Sequence, residues 1–487
     1  MFAWLVEYSA WLGVLYPLTI FVLVLAIIQQ RGNPTKTLAW AVFVVMVPLF
    51  GILIYVVFGK NYRREKMLSR KEQSDQRQLA RIISKFIAMD DYRKWPDGIS
   101  KSFSDFKGIA RMLTRSGYML PTRHNSVHLL KNGKQKYEAL FSAIERAKHH
   151  IHLEYYIIES DEIGNKLREL LIRKAQEGVE VRVIFDHLGS FGLNRKFIKS
   201  LLAAGVQAYP FFKIYIAFLK SNINYRNHRK IAVIDGLVGF VGGINIADHY
   251  LKGLPEIGIW RDTHVQVEGD AVCWLQSVFL LDWYFVSKQL IANTEIYFPP
   301  HDITQTCIVQ IAASGPDSDW ATIMQTYFAA INQAKDHLYI ATPYFIPNEA
   351  LLTALQAAAL RGVDVRLLMS ARSDSSITQW ASMSYVSDML DCGVKVFLYE
   401  KGFSHSKLLM ADGEFCSVGT ANMDVRSFEH NFEVNAIIYN GDFTQILEKE
   451  FLRDLGNSRQ LSIVEWKKRS RFEQLMENLS RLLAPLL

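Results

Sequence analysis

The stretch NHRKIAVIDGLVGFVGGIN (227–245) returns later in the chain as SHSKLLMADGEFCSVGTAN (404–422). Earlier segments recur in the same order, since HIHLEYYII (150–158) returns as HLYIATPYFI (337–346). A Gly-Val-acidic-Val-Arg run lies between these blocks in both copies. Several blocks repeated in one order indicate a duplicated unit rather than chance similarity between strands.

Both copies alternate short β-branched runs with amphipathic helical stretches, a pattern typical of an α/β domain. We therefore predict an α/β fold with two duplicated halves, at residues 120–300 and 301–487. The boundary falls within 295–320, where prolines and glycines interrupt the pattern. Two like halves in one chain are expected to pack about a pseudo-twofold axis, so a site on that axis would draw residues from both.

The last repeated block carries the residues suited to chemistry. In each copy the pattern is His-x-Lys-x4-Asp, followed by Gly-x-x-Asn. Residues i and i+2 of a strand face the same side, so each histidine and lysine should point into one space. The predicted site residues in the two copies are His228, Lys230, Asp235 and Asn245, and His405, Lys407, Asp412 and Asn422.

This set of side chains suits phosphoryl-type transfer. Lysine ammonium and amide N–H groups stabilise phosphate oxygens as charge develops on them. One histidine can attack phosphorus while the other protonates the leaving oxygen and later deprotonates the acceptor. Two imidazoles therefore predict a two-step double displacement, and because lysine neutralises the charge we expect no metal and no cofactor.

The metal-binding alternatives are weak. The four cysteines are far apart, which argues against a zinc ribbon, a CxxC redox site or a disulfide framework. The histidines of the His149-His150-x-His152 run have no cysteine and no clear carboxylate partner nearby in the sequence, so we expect them to be structural.

The paired motif resembles the phospholipase D superfamily, which is defined by two HxKxxxxD motifs, one in each half. The resemblance covers about residues 120–450 and implies mixed sheets flanked by helices. It implies that His228 is the nucleophile and His405 the general acid and base, although the sequence leaves open which histidine attacks first. It also implies that the motif aspartates Asp235 and Asp412, although part of the catalytic motif, mainly support the fold.

The same resemblance implies that a separate carboxylate orients each histidine. By position, Asp262 matches His405 and Glu433 matches His228. The first copy departs from the family's usual Gly-Ser-x-Asn, because Gly243 stands where a hydroxyl is common. A hydroxyl contact from the first half is therefore not expected.

Two long apolar runs lie near the start of the chain. Residues 9–28 and 37–59 contain no charged residue, and each is long enough for a transmembrane helix. We predict a transmembrane hairpin over 1–60 and a basic juxtamembrane linker over 61–119. Six lysines and arginines between 60 and 71 predict, by the positive-inside rule, that the rest of the chain faces the cytoplasm.

The N-terminal segment is similar to that of bacterial cardiolipin synthases, through the Asn-Pro-Thr turn and the Leu-Ala-Trp that follows it in RGNPTKTLAW (31–40). The resemblance then covers essentially the whole chain. It implies a phosphatidyltransferase in the bacterial cytoplasmic (inner) membrane that converts two phosphatidylglycerol molecules to cardiolipin and glycerol. The expected partners are phosphatidylglycerol and other anionic lipids. A membrane phospholipase D, or a transferase that uses another acceptor alcohol, is the alternative.

Other features leave alternatives open. The net charge of +7 suits an anionic partner but does not separate lipid from nucleic acid. Because the basic cluster directly follows an apolar run, we expect lipid and no nucleic acid. The aromatic stretch 209–219 is a candidate for membrane contact or for core packing, and the amphipathic segment 466–487 for an interfacial helix or for packing on the catalytic domain. The oligomeric state is not predicted.

Overall fold

The computed structural model describes residues 17–29, 34–55, 95, 99–117, 119–212, 225–289, 291 and 294–484. The described residues divide into two units, one made by 17–29 with 34–55 and the other by everything from 95 onward. The basic cluster at 60–71 lies outside the described residues, as do most of the aromatic stretch 209–219 and the linker from 61 to 94.

The first unit is helical. Residues 17–29 form one helix, followed by α1 (Pro34–Met46) and α2 (Pro48–Ile54). Pro48 starts α2, where its missing N–H costs no helical hydrogen bond. Ile27, Val44 and Tyr55 are buried against one another. None of the helices in the described ranges is long and apolar enough to cross a membrane.

The second unit holds both predicted halves. The strands before residue 300 are β1 (Thr122–Lys131), β2 (His150–Tyr155), β3 (Glu180–Asp186), β4 (Gln207–Phe211), β5 (Arg226–Asn227), β6 (Lys230–Ile234), β7 (Val238–Gly242), β8 (Ile259–Arg261) and β9 (Thr263–Gly269). The strands after it are β10 (Thr306–Ser314), β11 (His337–Ala341), β12 (Phe345–Ile346), β13 (Asp364–Ser370), β14 (Lys395–Tyr399), β15 (Gly402–Ser404), β16 (Leu408–Ala411), β17 (Phe415–Gly419), β18 (Met423–Asp424), β19 (Asn431–Tyr439) and β20 (Ser458–Gln460).

Helices cover the sheet formed by these strands. Up to residue 300 they are α3 (Lys101–Gly117), α4 (Asn132–Arg146), α5 (Glu162–Gln176), α6 (Arg195–Ala203), α7 (His249–Lys252), α8 (Val272–Ser287) and a 3₁₀ turn at Thr294–Tyr297. Beyond it they are α9 (Thr322–Gln333), α10 (Glu349–Leu360), α11 (Ser376–Met383), α12 (Val386–Asp391), α13 (Val425–Glu429), α14 (Gly441–Leu455), α15 (Ile463–Trp466) and α16 (Arg471–Leu482).

The strand order displays the duplication. Outward from the centre, the first half reads β1-β9-β7-β6-β2-β3-β4 and the second β10-β19-β17-β16-β11-β13-β14, with β20 added at its edge. In both halves the four inner pairings are antiparallel and the two outer ones parallel. β1 and β10 pair antiparallel, so one mixed sheet runs through both halves. The predicted α/β duplication is confirmed.

Equivalent residues build equivalent turns in the two halves. Asp161 and Asn348 cap α5 and α10 by accepting a hydrogen bond from the backbone N–H three residues later. Gly178 and Gly362 follow the ends of the same helices with φ of 91° and 95°, a conformation that favours glycine. The repeated Gly-Val run is therefore a helix end that leads into a parallel strand.

Among the described residues, three large hydrophobic clusters and a smaller fourth one around Phe211 and Trp283 hold the second unit together. One lies within each half, and the third packs on the other face of the central strands, where Val265, Val309 and Val434 meet. Helix α8 is mostly apolar, and Trp274 and Trp283 on it are fully buried. A helix of this kind belongs in a core, and here it covers the sheet of the first half.

Helix α3 belongs to the second half rather than to a linker. Residues 101–117 fall within the basic linker predicted over 61–119, but Phe103, Phe106 and Leu113 are buried in the cluster of the second half. The Phe106 ring stacks on Phe415 with centroids 4.8 Å apart. The apolar face of this helix decides its position, while its basic residues remain on the opposite side.

The motif aspartates anchor the sheet and lie at the far end of the strand from the histidines. The Asp235 carboxylate accepts hydrogen bonds from the backbone N–H groups of 148–150 at 2.8 to 2.9 Å. Asp412 does the same with 335–337 at 2.8 to 3.0 Å. Their φ angles are 55° and 54°, in the left-handed region that aspartate tolerates better than most residues. The structure therefore does not bring these two residues into the catalytic group.

This arrangement predicts that Asp412 contributes to stability. Asp412→Ala loses an acceptor for three N–H groups and leaves alanine in a left-handed conformation, so we expect a loss of about 2–4 kcal/mol in the free energy of unfolding. Asp412→Asn keeps one carbonyl oxygen and should lose less than half of that. Chemical unfolding of the detergent-solubilised protein measures both, and equal stability of the alanine variant and the wild type would contradict the assignment.

Candidate active site

Each motif histidine bonds a carboxylate from the other half of the chain. His228 Nδ1 lies 3.0 Å from both carboxylate oxygens of Glu433. His405 Nδ1 lies 2.7 Å from Oδ2 of Asp262. A carboxylate accepts hydrogen bonds, so in the neutral imidazole Nδ1 holds the proton and Nε2 presents a lone pair. The structure thus brings together the two pairs that the resemblance implies.

Short parallel strand pairs between the halves set these contacts. β5 pairs with the start of β19, and β15 pairs with β8. The backbone N–H of His228 donates to the Phe432 carbonyl at 3.0 Å, and that of His405 donates to the Arg261 carbonyl at 2.7 Å. Each carbonyl belongs to the residue directly before the orienting carboxylate. Backbone pairing across the halves therefore positions each imidazole beside its carboxylate.

The histidines do not lie within strands, contrary to the sequence expectation. Both lie in the segments that join β5 to β6 and β15 to β16. Each histidine follows a strand that pairs with the other half and precedes a strand that belongs to the sheet of its own half. The histidine itself therefore lies outside both strands.

Each motif lysine hydrogen-bonds the backbone carbonyl of the histidine two residues before it. Lys230 Nζ donates to the His228 carbonyl at 2.7 Å, and Lys407 Nζ donates to the His405 carbonyl at 2.5 Å. Both side chains are buried, and burial lowers the pKa of Lys230 to about 7 and that of Lys407 to about 8. Below these values the site holds two positive charges with few solvent contacts, an environment suited to an anion.

The two orienting carboxylates are held differently. Glu433 accepts a short hydrogen bond from the Thr420 hydroxyl. Burial alone would raise the pKa of Glu433. The nearby charges of His228 and Lys230, and the hydrogen bonds from His228 and Thr420, outweigh burial and bring this pKa below its usual value. Asp262 accepts from its neighbour's backbone N–H at 2.7 Å, and burial raises its pKa to about 6 against nearby lysine charges.

Gly243 explains the missing hydroxyl of the first copy. A Cβ at this position would lie 2.2 Å from Oδ1 of Asp262 and 2.5 Å from its Oδ2. No side chain fits there while Asp262 bonds His405. The equivalent position in the second copy is Thr420, whose hydroxyl reaches Glu433. The shorter side chain of Asp262 packs directly on Gly243, whereas the longer Glu433 accepts a hydrogen bond from Thr420.

The two motif asparagines are not equivalent. Asn245 Nδ2 donates to the Tyr250 hydroxyl at 2.6 Å, and its Oδ1 accepts from the Ile157 N–H at 3.1 Å. In contrast, Oδ1 of Asn422 is buried without a hydrogen-bond partner among the residues that the structure describes. Asn245 therefore connects two segments of the first half by hydrogen bonds, whereas Oδ1 of Asn422 could accept a hydrogen bond from another group.

Burial keeps both imidazoles neutral at neutral pH. It lowers the pKa of His228 to about 4 although Glu433 acts in the opposite direction. It also lowers the pKa of His405, and the positive charges of Lys407 and Lys230 lower it further. At neutral pH His228 therefore has a free lone pair, as a nucleophile requires.

Aromatic residues around the histidines were not predicted from the sequence. Ring centroids of Trp260, Phe403 and Tyr250 lie 5.0, 5.6 and 5.8 Å from that of His405. The ring centroid of Tyr156 lies 4.9 Å from that of His228. Trp260 and Phe403 each lie two residues before a site residue, so the period of a strand could have placed them on the same side.

The histidine run at 149–152 has a structural environment. His150 and His152 are buried and each lies 3.2 Å from Oε1 of Gln276, and Arg182 bonds the other ring nitrogen of His152 at 3.1 Å. Within the described part of the chain, no cluster of histidine, cysteine, aspartate and glutamate is arranged to hold a metal ion.

A family model described as "Cardiolipin synthase, PLD-like domain" matches residues 140–283 and 327–455, which include both motifs. A second, "Phospholipase D-nuclease N-terminal", matches 18–60. A cardiolipin synthase of Geobacillus thermodenitrificans is 42% identical over 98% of this chain and 93% of its own. The major cardiolipin synthase ClsA of Bacillus subtilis is 39% identical over 98% of this chain and 99% of its own.

A solved structure supports the fold independently. Phosphatidylserine synthase from Haemophilus influenzae is 13% identical, with a TM-score of 0.60 over 79% of this chain and all of its own. That likeness concerns the fold alone, whereas the curated relatives align along nearly the full length. With two motif histidines, each oriented by the other half, and this similarity from end to end, the chain belongs to the cardiolipin synthases of the phospholipase D superfamily.

Proposed function

We propose that this protein is a phosphatidyltransferase that makes cardiolipin and glycerol from two phosphatidylglycerol molecules through a phosphatidyl-histidine intermediate. The observation that carries this proposal is the cross-half arrangement of His228 with Glu433 and His405 with Asp262 around two buried lysines. It provides a nucleophile, an acid and base, and a positive site for one phosphodiester. The curated relatives named as cardiolipin synthases support the choice of substrate.

In the first step, His228 Nε2 attacks the phosphorus of one phosphatidylglycerol. A P–N bond forms and the P–O bond to the glycerol headgroup breaks, while His405 gives its Nε2 proton to the leaving oxygen. The ammonium groups of Lys230 and Lys407 stabilise the phosphoryl oxygens, and Glu433 stabilises the positive charge on His228. Glycerol then leaves.

In the second step, neutral His405 takes the proton from the terminal hydroxyl of a second phosphatidylglycerol. That oxygen attacks phosphorus, the P–N bond breaks, and cardiolipin is released with His228 restored. His405 must hold a proton to start the cycle, although burial lowers its pKa. The negative phosphodiester of the bound lipid favours the imidazolium, and Asp262 accepts its Nδ1–H.

Transfer to a lipid requires that water be kept away from the intermediate. The Trp260, Phe403 and Tyr250 rings cover one side of His405, the residue that would activate an attacking water. Apolar walls favour the exclusion of water and strengthen the electrostatic interactions inside the site. We infer that these rings favour the lipid hydroxyl over water as the acceptor.

The N-terminal residues suit a membrane anchor. Large apolar side chains such as Leu18, Phe21 and Phe50 are exposed on the helices of the first unit. Exposed apolar surface on adjacent helices favours a lipid environment. We propose that residues 1–60 anchor the protein in the bacterial cytoplasmic membrane and that the segment before helix α3 connects this anchor to the catalytic unit. The catalytic halves at 120–300 and 301–487, with α3 packed on the second, would then face the cytoplasm.

A product assay tests the function. Purified protein in mixed micelles with phosphatidylglycerol as the only lipid should yield cardiolipin and an equal amount of glycerol, read by mass spectrometry and an enzyme-coupled assay. His228→Ala and His405→Ala should each lower the rate at least about 10³-fold, because each removes a group that the transfer needs. Retained thermal stability of both variants is the control.

The products discriminate between the acceptors. Phosphatidic acid in place of cardiolipin would mean that water is the acceptor and that the protein is a phospholipase D. If phosphatidylglycerol alone gives neither product but added phosphatidylethanolamine is consumed, the acceptor alcohol differs from the one proposed.

The lysine pKa values predict a fall in activity at alkaline pH. Each lysine is charged below its lowered pKa, about 7 for Lys230 and about 8 for Lys407, so the phosphate site loses its charge as pH rises through this range. We expect kcat/KM, measured in micelles with little anionic lipid, to fall about tenfold or more between pH 7 and pH 9. A constant or rising kcat/KM over that range would contradict this role.

Chelation provides a separate test of the mechanism. Because lysines rather than a divalent ion neutralise the phosphodiester in the proposed steps, EDTA should leave the rate of cardiolipin formation unchanged. Added magnesium after EDTA serves as the control. Strong inhibition that magnesium reverses would show that the proposed steps are incomplete.

A further inference from the structure

Helix α16 (Arg471–Leu482) packs with its polar side toward the protein. Glu477 is buried and forms an ion pair with Arg469. Arg481 bonds Asp388 at 2.9 Å and lies over the Tyr385 ring, 4.2 Å from its centroid. The Arg481 contacts hold the helix against α12, and the helix also packs along α11. The buried residues of the helix are Glu477 and Ser480, so polar groups face the protein.

Its apolar side faces away from the protein. Phe472, Leu475, Leu479 and Leu482 are 67%, 54%, 49% and 76% exposed. Their spacing of three, four and three residues places them in one stripe along the helix. A surface helix normally buries such a stripe in the core, so this helix has the reverse orientation. A contiguous exposed stripe marks a surface that binds something apolar.

Cations border the stripe. Lys468 and Arg471 are exposed at the start of the helix, and Lys467 is exposed and pairs with Asp391 at 3.1 Å. The acidic residues of the helix are used inside the protein or in its cap, since Glu477 pairs with Arg469 and Glu473 closes a capping box with Ser470. The outward side is therefore apolar, and the exposed cations Lys468 and Arg471 lie at the start of the helix.

We propose that α16 docks on an anionic phospholipid bilayer, with the apolar stripe (Phe472, Leu475, Leu479 and Leu482) inserted among the acyl chains and the lysines and arginine at the headgroups. This is the arrangement of an interfacial amphipathic helix. Four side chains offer roughly 400 Å², about half of what each partner buries in a typical stable protein interface. The charge border matches an anionic headgroup layer, so the observations favour a bilayer over a second copy of the chain.

This contact is independent of catalysis and of the N-terminal helices. It adds a lipid contact on the catalytic unit itself, which would bring that unit to the surface where its proposed substrate resides. The test must therefore report on α16 locally, because the N-terminal helices alone could keep the full chain in the membrane.

The test uses the full-length protein in nanodiscs, in a Cys392→Ser background with Leu482→Cys carrying an environment-sensitive fluorophore. Cys392 is replaced because it is partly exposed and could react with the fluorophore, whereas the other three cysteines are buried. Nanodiscs of phosphatidylcholine with about a third phosphatidylglycerol should shift the emission to the blue, and lipids spin-labelled near the headgroup should quench it. Leu475→Ser with Leu479→Ser should lower the quenching by at least half, since both leucines leave the stripe.

The matched control is Gln474→Ser with Asn478→Ser, which changes two exposed polar residues of the same helix and should keep the quenching. Equal melting temperatures of the two double variants exclude unfolding as the cause. Absence of quenching in every disc, or a fluorophore that is shielded only when a second copy is present, would overturn the proposal. An added His228→Ala should leave the signal unchanged, because docking does not require turnover.

Discussion

The active site depends on two short pairings of backbone between the halves. β5 against β19 and β15 against β8 each place a histidine beside a carbonyl from the opposite half, one residue before the carboxylate that binds its ring. Hydrogen bonds of the main chain are less adaptable than side-chain contacts, so they set the position of each imidazole within a narrow range. Neither half contains a complete site without the other.

Much of this architecture could be predicted from the sequence because the same pattern occurs in both halves. An interpretation of a block in one half is therefore supported by its counterpart in the other. The repeated blocks at 150–158 and 337–346 became β2 and β11, which occupy equivalent places in the sheet. The pairing of His228 with Glu433 and His405 with Asp262 followed from position within a known family. The roles of these residues in catalysis remain predictions until the variants are tested.

Other features could not be predicted because they depend on neighbours distant in sequence. The basic linker predicted over 61–119 includes residues 101–117, yet the apolar face of that helix packs in the core of the second half. An amphipathic pattern shows that α16 has two sides but not which one faces the protein. That choice depends on Asp388 and Tyr385 at the start of α12, which bind Arg481 although they lie far before it in the sequence.

The continuous sheet has a consequence for how substrates come and go. Because β1 and β10 pair across the centre, opening the two halves would break main-chain hydrogen bonds along with the contacts that orient both histidines. Pairing of the main chain therefore opposes separation of the two halves. Donor, released alcohol and product would then exchange without separation of the halves, so movement of loops near the histidines, rather than opening of the two halves, would control the order in which they pass.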